Sequence, residues 1–231
     1  MGSIYVVRHG QAAFGTDDYD RLTEVGLAQA RLLGEYFAAR RLRFDAVFTG
    51  TLLRQQQTAR GLLQGGTDLA AEVAEEHFTG LNEYDPEAIL LAHTGNVPAP
   101  AAAAARRDPK VVREHFRMLR DALTAWAEDR IQPKGMLAFQ GFQEGAVAAL
   151  IEARQRFPDG KVLIVSSGGP IAAMVAASLN APPSAAVELN LRIRNCSVTE
   201  FTSNPKRHSL LSFNAVPHLD AQPDASLITY A

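Results

Sequence analysis

Two short apolar runs do most to limit what this chain can fold into: Ile4-Tyr5-Val6-Val7 near the N-terminus and Lys161-Val162-Leu163-Ile164-Val165 far downstream. Neither run alternates apolar with polar residues. A β-branched, aromatic-containing stretch that stays apolar on successive residues and then ends at glycine suits a central parallel strand buried on both faces. The first run ends in Arg8-His9-Gly10-Gln11 and the second in Ser166-Ser167-Gly168-Gly169. In open α/β sheets ligands bind just beyond such strand ends, so both termini are candidate site positions.

Between these runs the pattern alternates strand with helix. Thr16 to Arg21 reads as a polar loop, and Thr23 is a candidate N-cap for a helix from Leu27 through Arg40. Asp45 to Thr49 is a second short strand, Leu52 to Leu63 a second helix closed by Gly65-Gly66, and Ala71 to Ala74 a third strand. Pro170 suits the first position of a helix running to Leu179, Ser197 to Phe201 and Leu210 to Phe213 read as strands, and the tail from Pro217 as an irregular strap. The expected class is therefore α/β, a three-layer sandwich with a mostly parallel sheet flanked by helices. With 231 residues, a single domain covering 1–231 accommodates this, with a helical cap inserted at about 84–140. In that cap Pro98-Ala99-Pro100 and the run Ala101 to Ala105 interrupt helical signal, while Val111, His115, Leu119, Ala122 and Trp126 share a helical face.

The formal net charge of −2 gives no reason to expect nucleic acid, so anion recognition must be local. Cys196 is the single cysteine, which excludes an intramolecular disulfide and argues against a structural zinc site; it reads as a small buried hydrophobe in a strand. No run of about 18 apolar residues and no secretory leader pattern is visible, so no membrane partner and a cytoplasmic location are expected. No G-x-x-x-x-G-K-[ST], G-x-G-x-x-G or H-E-x-x-H pattern occurs, leaving nucleotide cofactors and a catalytic metal unsupported.

Four segments stand at or just past these strands: Arg8-His9-Gly10, Leu52-Leu53-Arg54 with Gln57-Thr58-Ala59, Leu81-Asn82-Glu83, and Val165-Ser166-Ser167-Gly168-Gly169. As an ordered set they resemble the histidine phosphatase superfamily, also called phosphoglycerate mutase-like, over nearly the whole chain. Leu22-Thr23-x-x-Gly26-x-x-Gln29-Ala30 is similar to the family's segment after the first loop, and Thr51-Leu52-Leu53-Arg54 with Thr58-Ala59 to its second arginine motif.

The resemblance implies a metal-independent phosphomonoester hydrolase in which His9 takes the phosphoryl group as phosphohistidine and Glu83 protonates the departing oxygen. Arg8 and Arg54 would clamp the phosphate through planar, permanently charged forks. Their charge would also lower the histidine pKa from about 6.5 and keep the nucleophile neutral. Gln11 and Thr23 resemble positions that touch phosphate in relatives, and either also suits a loop hydrogen bond or a cap. The implied partner is a small-molecule phosphomonoester or a phosphate anion.

One departure stands out. Where the family's later strand ends in histidine and glycine, this chain has Ser167 before Gly168. Serine donates one hydrogen bond and carries no charge, so weak or specialised turnover is expected, with help from the N–H groups of the helix that follows. A pseudophosphatase that binds a phosphorylated metabolite or protein is the alternative, and a mutase a weaker one. A serine-hydrolase reading, with Ser167 as nucleophile and His218 as base, fails because Val165 stands where the nucleophile elbow needs glycine. His77, His93, His115, His208 and His218 read as structural, and Glu72, Glu75 and Glu76 as poorer acids than Glu83. Arg192 and Arg194 read as alternate residues of an exposed extended edge, and Arg106, Arg107, Lys110 and Arg113 as a solvated helix face.

Overall fold

The computed structural model describes residues 1–13, 19–66, 68–70, 73–96 and 109–230. Its elements are β1 (Gly2–Arg8), α1 (Glu24–Ala39), β2 (Ala46–Thr49), α2 (Leu53–Gly65), β3 (Glu75–His77), α3 (Pro86–Thr94), α4 (Pro109–Ala127), α5 (Phe139–Arg156), β4 (Lys161–Ser166), α6 (Gly168–Ser178), α7 (Pro183–Asn190), β5 (Val198–Asn204), β6 (Arg207–Ala215) and α8 (Pro217–Asp220). Six strands form one sheet in the order β3-β2-β4-β1-β5-β6. The first four run parallel, whereas β5 and β6 are antiparallel to their neighbours. The mixed α/β architecture with a mostly parallel sheet is as expected.

The two apolar runs become the sheet's centre for the reason their composition suggests. In β1 and β4, Ile4, Val6, Val162 and Ile164 enter one apolar cluster, together with Leu123 and Trp126 of α4, Leu150 of α5 and Ile171 of α6. Val7, Leu163 and Val165 enter the other, with Leu33 and Phe37 of α1 and Leu62 of α2. Alternate residues thus bury on opposite faces, which is the three-layer sandwich in side-chain terms. The expected cap supplies α3 and α4, whose buried residues join the first of these clusters. Its Pro98-Ala99-Pro100 and Ala101 to Ala105 segments, with Arg106 and Arg107, lie outside the described residues, as do Glu72 and residues 16–18 of the expected loop. Among the described residues no helix is long and apolar enough to cross a membrane.

Several local expectations are corrected. The third strand is Glu75–His77, beyond the segment ending at Ala74, because parallel pairing to Val47, Phe48 and Thr49 selects those residues despite their polarity. The helix after β4 begins at Gly168, so Pro170 occupies its third position, still within the first turn where a missing N–H costs no hydrogen bond. Arg192 and Arg194 lie in a turn between α7 and β5, where Asn214 binds their backbone, and not on an extended edge. Cys196 is buried as expected but sits just before β5 with φ +52°, its N–H donated to the carbonyls of Arg8 and His9. Val111 is exposed, leaving Leu119, Ala122 and Trp126 as the buried part of its helical face. Thr23 does cap α1, accepting from Gly26 N–H.

His218 in α8 is buried, and among the described residues neither ring nitrogen has a hydrogen-bond partner; burial pushes its pKa down to about 4. An unfolded histidine binds its proton near pH 6.5, so between those values the unfolded chain holds more protons and stability falls as pH falls. The loss attributable to His218 should be on the order of 3 kcal/mol once pH reaches 4. Urea unfolding at pH 6.5 and pH 4 should show a shallower acid dependence for His218→Leu than for wild type. An unchanged dependence would refute the assignment.

Candidate functional site

The parallel pairing of β1 with β4 aligns Arg8 with Ser166, which brings His9 and Ser167 side by side just past the strand ends. Gly10 and Gly26 make this turn possible by close approach: a Cβ on Gly10 would lie 2.5 Å from the Gly26 carbonyl. Gly10 N–H donates to Thr58 Oγ1 at 2.9 Å, and Asn195 Nδ2 donates to the His9 carbonyl at 3.2 Å. The backbone around His9 is thus held by β1, α2 and the turn before β5.

His9 is buried, with Nδ1 2.8 Å from the Gly10 carbonyl. A carbonyl can only accept, so this contact places the proton on Nδ1 and leaves Nε2 with its lone pair. Nε2 receives the Nε–H of Arg54 at 3.3 Å. Burial, then the charges of Arg8 and Arg54, hold the imidazole pKa well below its ordinary value despite the Gly10 carbonyl. The result is a neutral imidazole whose free nitrogen faces a guanidinium.

Arg54 is placed by the first turn of α2. Its Nη1 donates to Asp20 Oδ1 at 2.7 Å, and Asp20 Oδ2 accepts from Leu53 N–H at 2.8 Å, so one carboxylate caps the helix and orients the guanidinium. Tyr19 lies over the guanidinium at 5.1 Å. Arg8 donates from Nη1 to the carbonyls of Ile193 and Tyr230, while its Nε is buried without a hydrogen-bond partner among the described residues. Part of that fork is therefore committed to backbone, and Nε remains for a ligand.

Glu83 follows a short 3-10 turn, Thr79–Leu81, that is tied to β4 and α2 by two bonds to the Leu81 carbonyl, from Ser166 Oγ and Gln55 Nε2, each 2.8 Å. Its carboxylate accepts from Gly169 N–H at 3.0 Å. Burial raises the carboxyl pKa, with Arg54, the Gly169 N–H and Arg8 pulling against it. Gly169 must be glycine, because a Cβ there would collide with the Glu83 carboxylate. The N–H groups opening α6 were expected to face an anion, and the Gly169 N–H instead meets this acid.

Ser167 is fully buried at the N-cap of α6 but makes no side-chain cap; its Oγ accepts from Gln55 Nε2 at 2.8 Å, which leaves its own proton available to donate. Gly168 lies close to Arg8, since a Cβ there would be 3.7 Å from Arg8 Nε. Gln11 and Thr23 chiefly meet each other, Thr23 Oγ1 donating to Gln11 Oε1 at 2.8 Å, so loop and cap bonding accounts for them. His77 meets Thr49 and Glu75 at the sheet edge, apart from this group. Asp20 and Asn195 are the positions sequence reasoning missed, and Gly169, within one of the four segments, carries no sequence sign of its contact to Glu83. Their contacts join residues 34 to 186 positions apart, which no local pattern signals.

Chemically, the group can accept a phosphoryl unit at Nε2 between two cations and supply a proton from a carboxyl held protonated to higher pH than usual. Comparison with known proteins identifies the family and the fold. Residues 4–94 and 103–216 match the model of the histidine phosphatase superfamily, branch 1. A 2,3-bisphosphoglycerate-dependent phosphoglycerate mutase from Methylobacterium sp. (strain 4-46) is 41% identical over 91 residues, 36% of this chain and 41% of that protein. The matched segment thus spans about two fifths of that relative's length. The fold is shared with the crystal structure of phosphoserine phosphatase from Entamoeba histolytica in complex with phosphoserine, with a TM-score of 0.65 and 17% identity over 95% of this chain and 100% of the other. It is shared also with a mycobacterial glucosyl-3-phosphoglycerate phosphatase, with a TM-score of 0.62 and 22% identity over 92% and 98% of the two chains. Because the family model spans both the strand that delivers His9 and the helix opened by Gly168, the chain belongs to the histidine phosphatase superfamily, branch 1.

Proposed function

We propose that the protein is a phosphomonoester hydrolase working through phosphohistidine at His9, with turnover reduced by Ser167. The observation that carries this reading is the neutral His9 imidazole, its proton on Nδ1 and its Nε2 facing Arg54. Nε2 attacks phosphorus and the bond to the substrate oxygen breaks, while the Glu83 carboxyl gives that oxygen its proton, releasing the alcohol. Water then attacks phosphorus, Glu83 takes the proton back, and the P–N bond breaks to free inorganic phosphate. Arg54, whose Nε–H turns from His9 Nε2 to the phosphoryl group as that nitrogen attacks, and Arg8 Nε hold the equatorial oxygens, where charge builds up. Incubation with a reactive phosphomonoester followed by rapid quench should give acid-labile phosphate on His9. Absence of label across a broad substrate panel, with phosphate still bound, would end the hydrolase reading.

Ser167 is the specific observation that favours a second reading, a pseudophosphatase that binds a phosphorylated metabolite or protein. A neutral hydroxyl replaces the charged imidazole donor that the family resemblance leads one to expect. The loss of one donor in a preorganised site costs about 100-fold to 1,000-fold in rate. A pure binder, however, has no use for a buried carboxyl group of raised pKa beside a nucleophile.

Glu83 makes the pH dependence predictable. Its raised pKa keeps the carboxyl protonated above the usual carboxylate range, so kcat/KM should fall as pH rises through that pKa. Glu83→Gln should abolish this limb and slow alkyl phosphates by roughly 100-fold or more. For p-nitrophenyl phosphate, whose leaving group needs no proton, kcat/KM should change little, while kcat falls because hydrolysis of the phosphohistidine still needs Glu83 as base. Persistence of the same limb in the variant would assign it to another group.

A further inference from the structure

A substrate whose phosphorus meets His9 and whose leaving oxygen meets Glu83 must extend its remaining atoms past Glu83. A cavity of about 340 Å³ lies there, lined by both Glu83 and Arg8. Its size falls within the range of small-molecule sites. The other walls are mostly aromatic and aliphatic, including Tyr19, Tyr84, Phe116, Leu119 and Leu191. Tyr84 is a fixed wall: its ring packs edge-on against Trp126 at 6.0 Å and Phe142 at 6.2 Å, and its hydroxyl accepts from Asn190 Nδ2 at 2.8 Å.

The charge of this cavity is as informative as its shape. Among the described residues lining it, Arg8 is the sole lysine or arginine, and that side chain faces the phosphate in the reading above while also bonding two backbone carbonyls. Arg54 is paired with Asp20 and covered by Tyr19. His115, the remaining basic group in the wall, is pushed toward its neutral form by burial. A second carboxylate or phosphate on the substrate would lose hydration here against Glu83 and aromatic rings, with no cation besides Arg8 among the described lining residues to replace the water. A ring or short apolar chain would be desolvated favourably by the same walls.

We infer that the leaving group is an uncharged, ring-bearing or apolar alcohol, and that phosphorylated acids, phosphoamino acids and bisphosphates are discriminated against. This rests on the hydrolase reading for the placement of phosphorus at His9, but the cavity's preference is measurable without turnover. Binding of 4-phenylbutylphosphonate and 4-carboxybutylphosphonate, which share a phosphonate and a tether and resist hydrolysis, should be compared by isothermal titration calorimetry. The phenyl compound should bind at least about tenfold tighter, and Phe116→Arg should narrow or reverse that ratio. Equal binding, tighter binding of the carboxylate, or a ratio untouched in a folded Phe116→Arg variant would overturn the inference. Should that variant not fold, the wild-type ratio alone decides.

A second arm separates this inference from the hydrolase reading. 3-Phenylpropyl phosphate and 3-phosphoglycerate both release a primary alcohol, so leaving-group reactivity does not confound their kcat/KM values. Preference for the phenyl compound in both binding and turnover supports both readings. Preferential binding with no hydrolysis of either ester keeps the cavity's selectivity and removes the hydrolase. Faster turnover of 3-phosphoglycerate overturns the selectivity and keeps the hydrolase.

Discussion

His9→Asn is expected to eliminate acid-labile phosphoenzyme and to lower turnover by at least about 1,000-fold, the scale of loss when a covalent nucleophile is removed. Asparagine is close to imidazole in size and polar, so the cavity and its two arginines should persist. Binding of inorganic phosphate, followed by calorimetry, should stay within a few-fold of wild type. This split between chemistry and binding is what a nucleophile predicts, because Arg8 and Arg54 hold charge whether or not a P–N bond forms. Label surviving in the variant would show that another group takes the phosphoryl. Loss of label together with phosphate binding would mean that His9 mainly supports Arg54, its 3.3 Å partner.

The second large effect runs the other way. Ser167→His should raise turnover by about 100-fold, because an imidazole beside His9, charged once a phosphate dianion is bound next to it, would donate to the transferring group where serine offers one neutral O–H. The position is fully buried and its Oγ accepts from Gln55, so the larger side chain must take the place of that bond. Gln55 keeps the Leu81 carbonyl as a partner, and Ser166 also binds that carbonyl, so Glu83 should stay in place. Ser167→Asn is the matched control, adding bulk and a neutral donor without charge. A gain confined to histidine assigns the effect to charge. Equal gains in both variants, or none in a histidine variant that unfolds in urea like wild type, would place the limit on turnover elsewhere.

Much of the architecture was legible because apolar runs report burial directly. Ile4, Val6, Val7 and Val162 to Val165 are all buried and offer water no polar group, so these runs fit between helix layers; Tyr5 alone is partly exposed. Thr23 was legible as a cap because its hydroxyl serves an N–H three residues away. β3 was not, since Glu75-Glu76-His77 carries no strand signal and pairs only because β2 offers an open edge. Arg192 and Arg194 misled for a similar reason: their alternation is that of a strand, while Asn214 from β6 fixes the segment as a turn.

For the candidate site the division follows sequence distance. The family resemblance picked out His9, Arg8, Arg54, Glu83 and Ser167; all but Glu83, which follows a 3-10 turn, stand where a strand end or the first turn of a helix delivers them, and such places are set by local patterns. Their chemistry was decided by contacts among distant segments. Asp20 aims Arg54, Gly10 sets the tautomer of His9, Gly169 holds the Glu83 carboxylate, and the carbonyls of Ile193 and Tyr230 engage Arg8. Burial among those contacts lowers the pKa of His9 and raises that of Glu83, opposite shifts from one cause because one group is charged when protonated and the other when not. A sequence names the groups that titrate; only packing determines how much water each one keeps.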